Sequence, residues 1–175
     1  MSYNDRTRQT LEERLRETED KLDIYNLIAS HPPIVDSGQG GHVSEVWMDE
    51  GVFDSYSRQR NGAAEIAAAM SGPQVRSAID AGLGHFCGLP HVTITGDTAH
   101  AISYLQLLGP DQTREPVDVP NHKSTRGYRI HNLLANRWDF VRTPKGWRIK
   151  RRTLRLIDGS EPAREIMRGA FEVKP

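Results

Sequence analysis

The hydrophobic pattern of this chain changes period near residue 84. Before that point, apolar residues recur at the spacing of an amphipathic helix, at Leu11, Leu15, Leu22, Tyr25 and Ile28. After it, segments rich in β-branched and apolar residues alternate with turns, at 86–95, 98–108, 129–142 and 147–157. Helices followed by a run of strands predict an α+β fold, in which helices lie on one side of a curved antiparallel sheet.

The N-terminal helix has clear start and stop signals. Thr10 and Glu13 have the spacing of a capping box, which predicts that the helix begins there. Pro32 and Pro33 predict its end, because neither can donate a backbone hydrogen bond. Asp36 is therefore expected just past the end of the helix.

Weaker patterns predict the remaining elements. They are a short helix at 42–48, a strand at 51–56, a helix at 62–70 interrupted by Gly72-Pro73, and a long loop or flap at 109–127. The length of 175 residues favours one domain. We assign it to residues 10–160, with a flexible N-terminus at 1–9 and a C-terminal extension at 161–175.

Composition excludes several classes of function. The 23 Lys and Arg balance the 23 Asp and Glu, which favours neither nucleic acid nor an anionic membrane as a partner. Cys87 is the only cysteine, and no apolar run reaches the length of a membrane span. The N-terminus has no apolar signal core. No metal-ligand or nucleotide motif is present. We expect a cytoplasmic protein that uses no cofactor and no metal.

Three segments resemble the SnoaL-like group of the nuclear-transport-factor-2-like superfamily. They are the helix at 11–28 with the turn Asp36-Ser37-Gly38, the segment Gly84-His85-Phe86 leading into the hairpin at 92–99, and the Arg142–Ile149 hairpin. The resemblance spans about residues 10–157. It implies a cone-shaped, cystatin-like fold, in which helices wrap a curved antiparallel sheet around an apolar pocket. The superfamily includes scytalone dehydratase, bile-acid 7α-dehydratase, hexachlorocyclohexane dehydrochlorinase, polyketide cyclases and accessory subunits.

The resemblance also suggests a catalytic pair. The dehydratases and the dehydrochlorinase carry an Asp after the first helix and a His at the start of a strand, where this chain has Asp36 and His85. The carboxylate would fix one ring nitrogen, so that the other could remove a carbon-bound proton. This predicts a cofactor-independent lyase or isomerase acting on a small apolar cyclic substrate. The alternatives are a purely structural Asp–His contact and a non-catalytic small-molecule-binding or accessory-subunit module.

Further pocket residues are suggested by position. His31 stands where related lyases carry Tyr, Lys or Gln, and could either contact substrate or be solvated. His131 could line the pocket or be a half-exposed strand residue, while Arg155 lies near a pocket Arg of the bile-acid dehydratase. Tyr56 and Tyr104 could donate a proton to a carbonyl or simply pack in the core.

A curved sheet has two faces, and the helices can cover only one of them. The strand at 129–142 carries Leu134, Trp138 and Phe140 in one phase, and these residues are predicted to form an open apolar face. We therefore expect a homodimer or higher homo-oligomer that packs through the open sheet face.

Overall fold

The structure is a computed structural model and describes residues 9–171. The predicted N-terminal segment 1–9 therefore lies almost entirely outside the described residues. The helices are α1 (Leu11–Asp36), α2 (Ala63–Met70), α3 (Pro73–Asp80) and α4 (Glu161–Arg168), with a 3₁₀ helix at Gly40–Glu45. The strands are β1 (Trp47–Asp54), β2 (Gln59–Asn61), β3 (Gly84–Cys87), β4 (His91–Thr95), β5 (Thr98–Pro110), β6 (Val117–Val119), β7 (Lys123–Thr125), β8 (Tyr128–Thr143) and β9 (Gly146–Leu156).

Helix α1 begins as the sequence predicts and ends later. The capping box is formed, with Glu13 N donating to Thr10 Oγ1 at 3.2 Å and Thr10 N donating to Glu13 Oε2 at 2.8 Å. Pro32 and Pro33 do not end the helix, which continues to Asp36. Each proline removes its own backbone donor and crowds the preceding turn, but the buried side of this last stretch includes Pro32 and Val35, and this burial offsets the cost. Asp36 is thus the last helical residue, and Gly38 turns the chain away at a φ of 77°.

Seven strands form one sheet in the order β2-β1-β9-β8-β5-β3, and β4 pairs with the remaining length of β5. All its pairings are antiparallel except β1 with β9, which is parallel. The prediction of a wholly antiparallel sheet is therefore wrong for the β1–β9 pair. The first strand pairs with the last one, and the chain between them supplies the rest of the sheet. The strand predicted at 86–95 is divided into β3 and β4.

Other elements differ in detail from the predicted ones. The helix expected at 42–48 is a 3₁₀ helix followed directly by β1, while Gly72-Pro73 begins a further helix, α3. The predicted flap at 109–127 contains the small β6–β7 hairpin. No helix of residues 9–171 has the length and apolar character needed to cross a membrane.

Two β-bulges decide which side chains face the inside of the sheet. Leu107 pairs with Asn132 and Leu108 with Ile130, which leaves His131 as an extra residue in β8. Asp139 pairs with Arg151 and Phe140 with Ile149, which leaves Lys150 as an extra residue in β9. An extra residue reverses the inside–outside alternation beyond it. Trp147 and Ile149 therefore point into the core on one side of the second bulge, and Arg152 and Leu154 on the other.

The main core lies between the inner sheet face and helices α1 and α2. Leu134, Trp138 and Phe140 belong to this core and are at most 2% exposed, so the prediction that they form an open face is wrong. The outer face is instead partly covered by α4, whose Ala163 and Ile166 pack on Ile102 and Ala135. Helix α4 lies in the segment that the sequence suggested was only an extension.

Candidate active site

Asp36 and His85 meet where the end of α1 approaches the start of β3. Asp36 Oδ1 lies 2.6 Å from His85 Nδ1, and Asp36 Oδ2 accepts a hydrogen bond from the His85 backbone N at 2.8 Å. Both side chains are about three-quarters buried. A carboxylate at a helix C-terminus is disfavoured by the helix dipole, and the two donors of His85 offset this cost. The contact joins residues 49 positions apart and fixes both the ring and the backbone of His85.

This hydrogen bond defines the tautomer of His85. A carboxylate accepts hydrogen bonds, so Nδ1 carries the proton and Nε2 carries the lone pair. His85 lines an apolar cavity, and its Nε2 has no hydrogen-bond partner among residues 9–171. The arrangement can therefore accept a proton at Nε2 while Asp36 stabilises the resulting imidazolium.

The cavity beside His85 has a volume of about 180 Å³ and lies between the end of α1, helix α2 and the inner face of the sheet. Most of its wall is apolar, with side chains that include Val35, Phe53, Met70, Leu105, Leu134 and Leu154. A dry apolar cavity of about 150 Å³ is large enough to hold benzene. The space is therefore that of a single ring with a small substituent.

Arg152 is the residue of this cavity that sequence reasoning missed. It is only 4% exposed, and its Nε donates to Asn136 Oδ1 at 3.1 Å. Its guanidinium lies 4.0 Å from the centre of the Trp138 ring. Burial lowers the pKa of Arg152 to about 10, so the side chain still carries its charge at neutral pH. The sequence shows a basic run at 148–155, but only the bulge at Lys150 determines which arginine enters the cavity.

His31 also lines the cavity, as one of its two predicted alternatives requires, and is 2% exposed. Burial, followed by the charge of Arg152 and the neighbouring His85, holds the pKa of His31 well below 6.5. His31 Nδ1 lies 3.4 Å from Arg152 Nη1, and its Nε2 is buried without a hydrogen-bond partner in the described part of the chain. The ring packs edge-on against Trp138, at 5.2 Å between centroids.

Tyr56 lies at the exposed side of the cavity, where its hydroxyl accepts a hydrogen bond from Asn132 Nδ2 at 3.0 Å. The structure therefore brings four of the predicted site residues together at one cavity. These are Asp36, which holds the ring of His85, and the lining residues His31, Tyr56 and His85.

The other three predicted residues do not line the cavity, and their assignments need correction. His131 is exposed at the β8 bulge. Tyr104 pairs with Ala135 on the outer face and is 48% exposed. Arg155 follows the bulge at Lys150, which turns it outwards, where its guanidinium binds the Asp54 carboxylate at 3.0 Å.

The cavity offers neither a metal cluster nor a reactive thiol. Within residues 9–171, no three His, Cys, Asp or Glu side chains come together in a way that could hold a metal ion. Burial raises the pKa of the Cys87 thiol, which disfavours the nucleophilic thiolate. The Asp36–His85 pair is the group beside this cavity whose geometry suits proton transfer.

The curved sheet, the wrapping helices and the internal cavity define the cystatin-like, NTF2-like class of folds. The model of the SnoaL-like domain family matches residues 16–153, and the chain belongs to this family. The sequence-based expectations of family and fold are thereby confirmed. The chain has no significant match among curated protein sequences.

Solved structures agree with this assignment. An NTF2-like protein with a cystatin-like fold from Novosphingobium aromaticivorans is 35% identical, with a TM-score of 0.79 over 90% of this chain and 94% of the other. A proposed aromatic ring hydroxylase from the same organism is 22% identical, with a TM-score of 0.56 over 80% and 90% of the two chains. A proposed dehydratase of the NTF2-like family from Streptomyces avermitilis is 16% identical, with a TM-score of 0.58 over 81% and 98%. The last two likenesses concern the fold.

Proposed function

We propose that this protein is a cofactor-independent lyase or isomerase of the dehydratase type, acting on a small cyclic substrate. The observation that carries the proposal is the double hydrogen bond of Asp36 to the ring and backbone of His85 beside an apolar cavity. A purely structural contact would need no free, basic nitrogen at a cavity wall. The similarity to a proposed dehydratase of the same fold supports this class of reaction.

The proposed reaction begins when His85 Nε2 removes a proton from a substrate carbon. Asp36 holds the opposite ring nitrogen and stabilises the imidazolium that forms. The electron pair left on carbon then expels a neighbouring hydroxyl or halide, or shifts a double bond. Tyr56 is the proposed proton donor to the leaving group or to a carbonyl oxygen, because it lines the cavity.

The test is proton exchange at carbon in deuterated water, followed by NMR. Single-ring ketones, phenolic alcohols and halogenated rings are incubated with the purified protein without added metal or cofactor. We expect exchange or elimination with the wild type and none with His85→Ala. Asp36→Asn should bind the same compounds but react about 10³–10⁴-fold more slowly, because an amide no longer selects the required tautomer.

His131→Ala is the matched control, because that histidine is exposed at the bulge and should leave the rate unchanged. Exchange that persists in His85→Ala would contradict the proposal. Binding that both dyad variants retain, with no turnover of any compound, would favour a small-molecule-binding module instead.

We also propose that the protein self-associates through the uncovered part of the outer sheet face. Phe86 and Tyr104 are 57% and 48% exposed there, on adjacent strands beside α4. Exposed aromatic side chains on a sheet face are typical of an interface, and a second copy of the chain supplies a face of the same composition.

A further inference from the structure

Arg152 is a buried cation without a counter-ion in the part of the chain that the structure describes. Among residues 9–171, Arg152 forms no ion pair with a carboxylate, and its two hydrogen-bond contacts are with the neutral groups of Asn136 and His31. The other contacts are ring faces, of Trp138 and of Phe53. Arginines as buried as this one are normally paired with an anion. Asp36, the carboxylate next to the cavity, is bound to His85 instead.

His31 adds a second donor to the same wall. Arg152 Nη1 can only donate, so the contact with His31 Nδ1 makes Nδ1 the acceptor and leaves the proton on Nε2. His31 is 2% exposed, and its Nε2–H is buried without an acceptor among the described residues. Arg152 and His31 both line the cavity. An acceptor supplied from outside the chain would satisfy both.

We propose that the cavity binds a ring compound that carries a carboxylate, and that the carboxylate docks on Arg152 and His31. A carboxylate supplies the missing negative charge and has two oxygens that can accept from both residues. A neutral carbonyl would leave the charge of Arg152 uncompensated in apolar surroundings. The cavity volume of about 180 Å³ limits the ligand to a single ring with a short substituent.

This inference deepens the proposed function and rests on it for the role of the cavity, since it names the substrate class of the same site. The carboxylate anchors one end of the ligand at Arg152, and the ring occupies the apolar space towards His85. A fixed anchor of this kind would hold one ring carbon in the same place beside the base in every binding event. The anion site itself, however, can be tested without turnover.

Isothermal titration at neutral pH with two matched pairs of probes tests the anion site. The pairs are benzoate with benzamide, and cyclohexanecarboxylate with cyclohexanecarboxamide, in which shape is kept and only the charge differs. We expect the wild type to bind each carboxylate at least about 10-fold more tightly than its amide, since hydrogen bonds to charged groups are substantially stronger than neutral ones. Arg152→Met should reduce this ratio to about 1.

Two further variants separate charge from structure. Arg152→Lys keeps a cation at the site, so it should retain part of the carboxylate preference, and it carries the test if the methionine variant does not fold. Arg155→Met, which removes a neighbouring arginine on the outer face, should keep the wild-type ratio.

Equal affinity of the wild type for carboxylates and amides, or no measurable carboxylate binding at millimolar concentration, would overturn the inference. A preference that survives in Arg152→Met would also overturn it, because the anion would then bind elsewhere. His85→Ala should keep the preference, since binding needs no base. If no proton exchange is found, the proposed anion site is therefore unaffected. If the carboxylate preference is absent, the proposed role of the Asp36–His85 pair is unaffected.

Discussion

Arg152→Met should change the free energy of unfolding by no more than about 2 kcal/mol, although it removes a buried arginine. Burial lowers the pKa of Arg152 from 12.5 to about 10, and each pH unit of this depression corresponds to about 1.4 kcal/mol. The unfolded chain binds this proton more strongly, so keeping the cation in the fold costs about 3 kcal/mol at every pH below about 10. Methionine removes that cost.

The same substitution also removes favourable contacts. The stacking of the guanidinium on Trp138, at 4.0 Å, contributes about 1–2 kcal/mol in a buried setting. Asn136 Oδ1 loses its donor, which costs about 1–3 kcal/mol for a buried acceptor. Gains and losses are of similar size and opposite sign. We therefore expect a net change within about 2 kcal/mol, in either direction.

Arg142→Met is the matched control. Arg142 binds both oxygens of the buried Asp20 carboxylate, at 2.7 and 2.5 Å, and stacks on Trp147 at 4.4 Å. Breaking a buried pair typically costs about 3–5 kcal/mol, and the partial exposure of Arg142 favours the lower end.

Urea unfolding followed by far-ultraviolet circular dichroism, without added ligand, measures both variants. A loss of more than about 3 kcal/mol for Arg152→Met, comparable to that of a broken buried pair, would refute the reasoning. It would mean that the guanidinium already has a strong ionic partner in the protein.

Two further predictions concern His31 and the outer sheet face. Burial and the Arg152 charge hold the pKa of His31 below 6.5. As the pH falls below about 6.5, the unfolded chain therefore binds a proton at His31 that the folded chain does not bind. The contribution of His31 to stability is therefore full above about pH 6.5 and is lost as the pH falls, by up to about 1.4 kcal/mol per pH unit. The free energy of unfolding, measured in urea between about pH 7.5 and about pH 5, should therefore depend less on pH in His31→Gln than in the wild type. Sedimentation of the wild type at micromolar concentration should show a dimer or larger species and Tyr104→Glu a monomer, whereas a monomeric wild type would exclude the proposed interface.

The order and type of the main elements could be predicted from the sequence because hydrophobic period is a local property. The capping box at Thr10, the helical spacing after it and the alternation after residue 84 are each visible in a few residues. The predicted end of α1 at Pro32 and Pro33 is wrong, because the helix continues to Asp36. Packing of this turn in the core outweighs the two lost backbone donors, and that packing is a tertiary effect.

The position of Arg152 could not be predicted because it depends on register. An uninterrupted alternation from Trp147 would turn Arg151, Thr153 and Arg155 inwards. The extra residue at Lys150 reverses this phase, so that Arg152 faces the cavity and Arg155 binds Asp54 outside. His131 has the phase of Ala135, which faces α4 on the outer side of the sheet, and it is also left unpaired at the other bulge. A bulge follows from pairing with the neighbouring strand and leaves no local sequence signal.

Asp36 and His85 were linked through resemblance to a family, because a separation of 49 residues carries no information about contact by itself. The structure adds the second hydrogen bond, from the His85 backbone to Asp36 Oδ2. This bond fixes the carboxylate relative to the strand and not only to the ring.

The tautomer of His85 tests the central claim most directly, and it needs no substrate. The ring nitrogens are observed by NMR of protein carrying ¹⁵N-labelled histidine, at a pH where His85 is neutral, and His85→Gln identifies the signals. We expect a protonated Nδ1 and an unprotonated Nε2 in the wild type, because Asp36 Oδ1 lies 2.6 Å from Nδ1. Asp36→Asn should weaken or reverse this preference. A wild-type His85 protonated at Nε2 would leave no base facing the cavity and would contradict the proposed function.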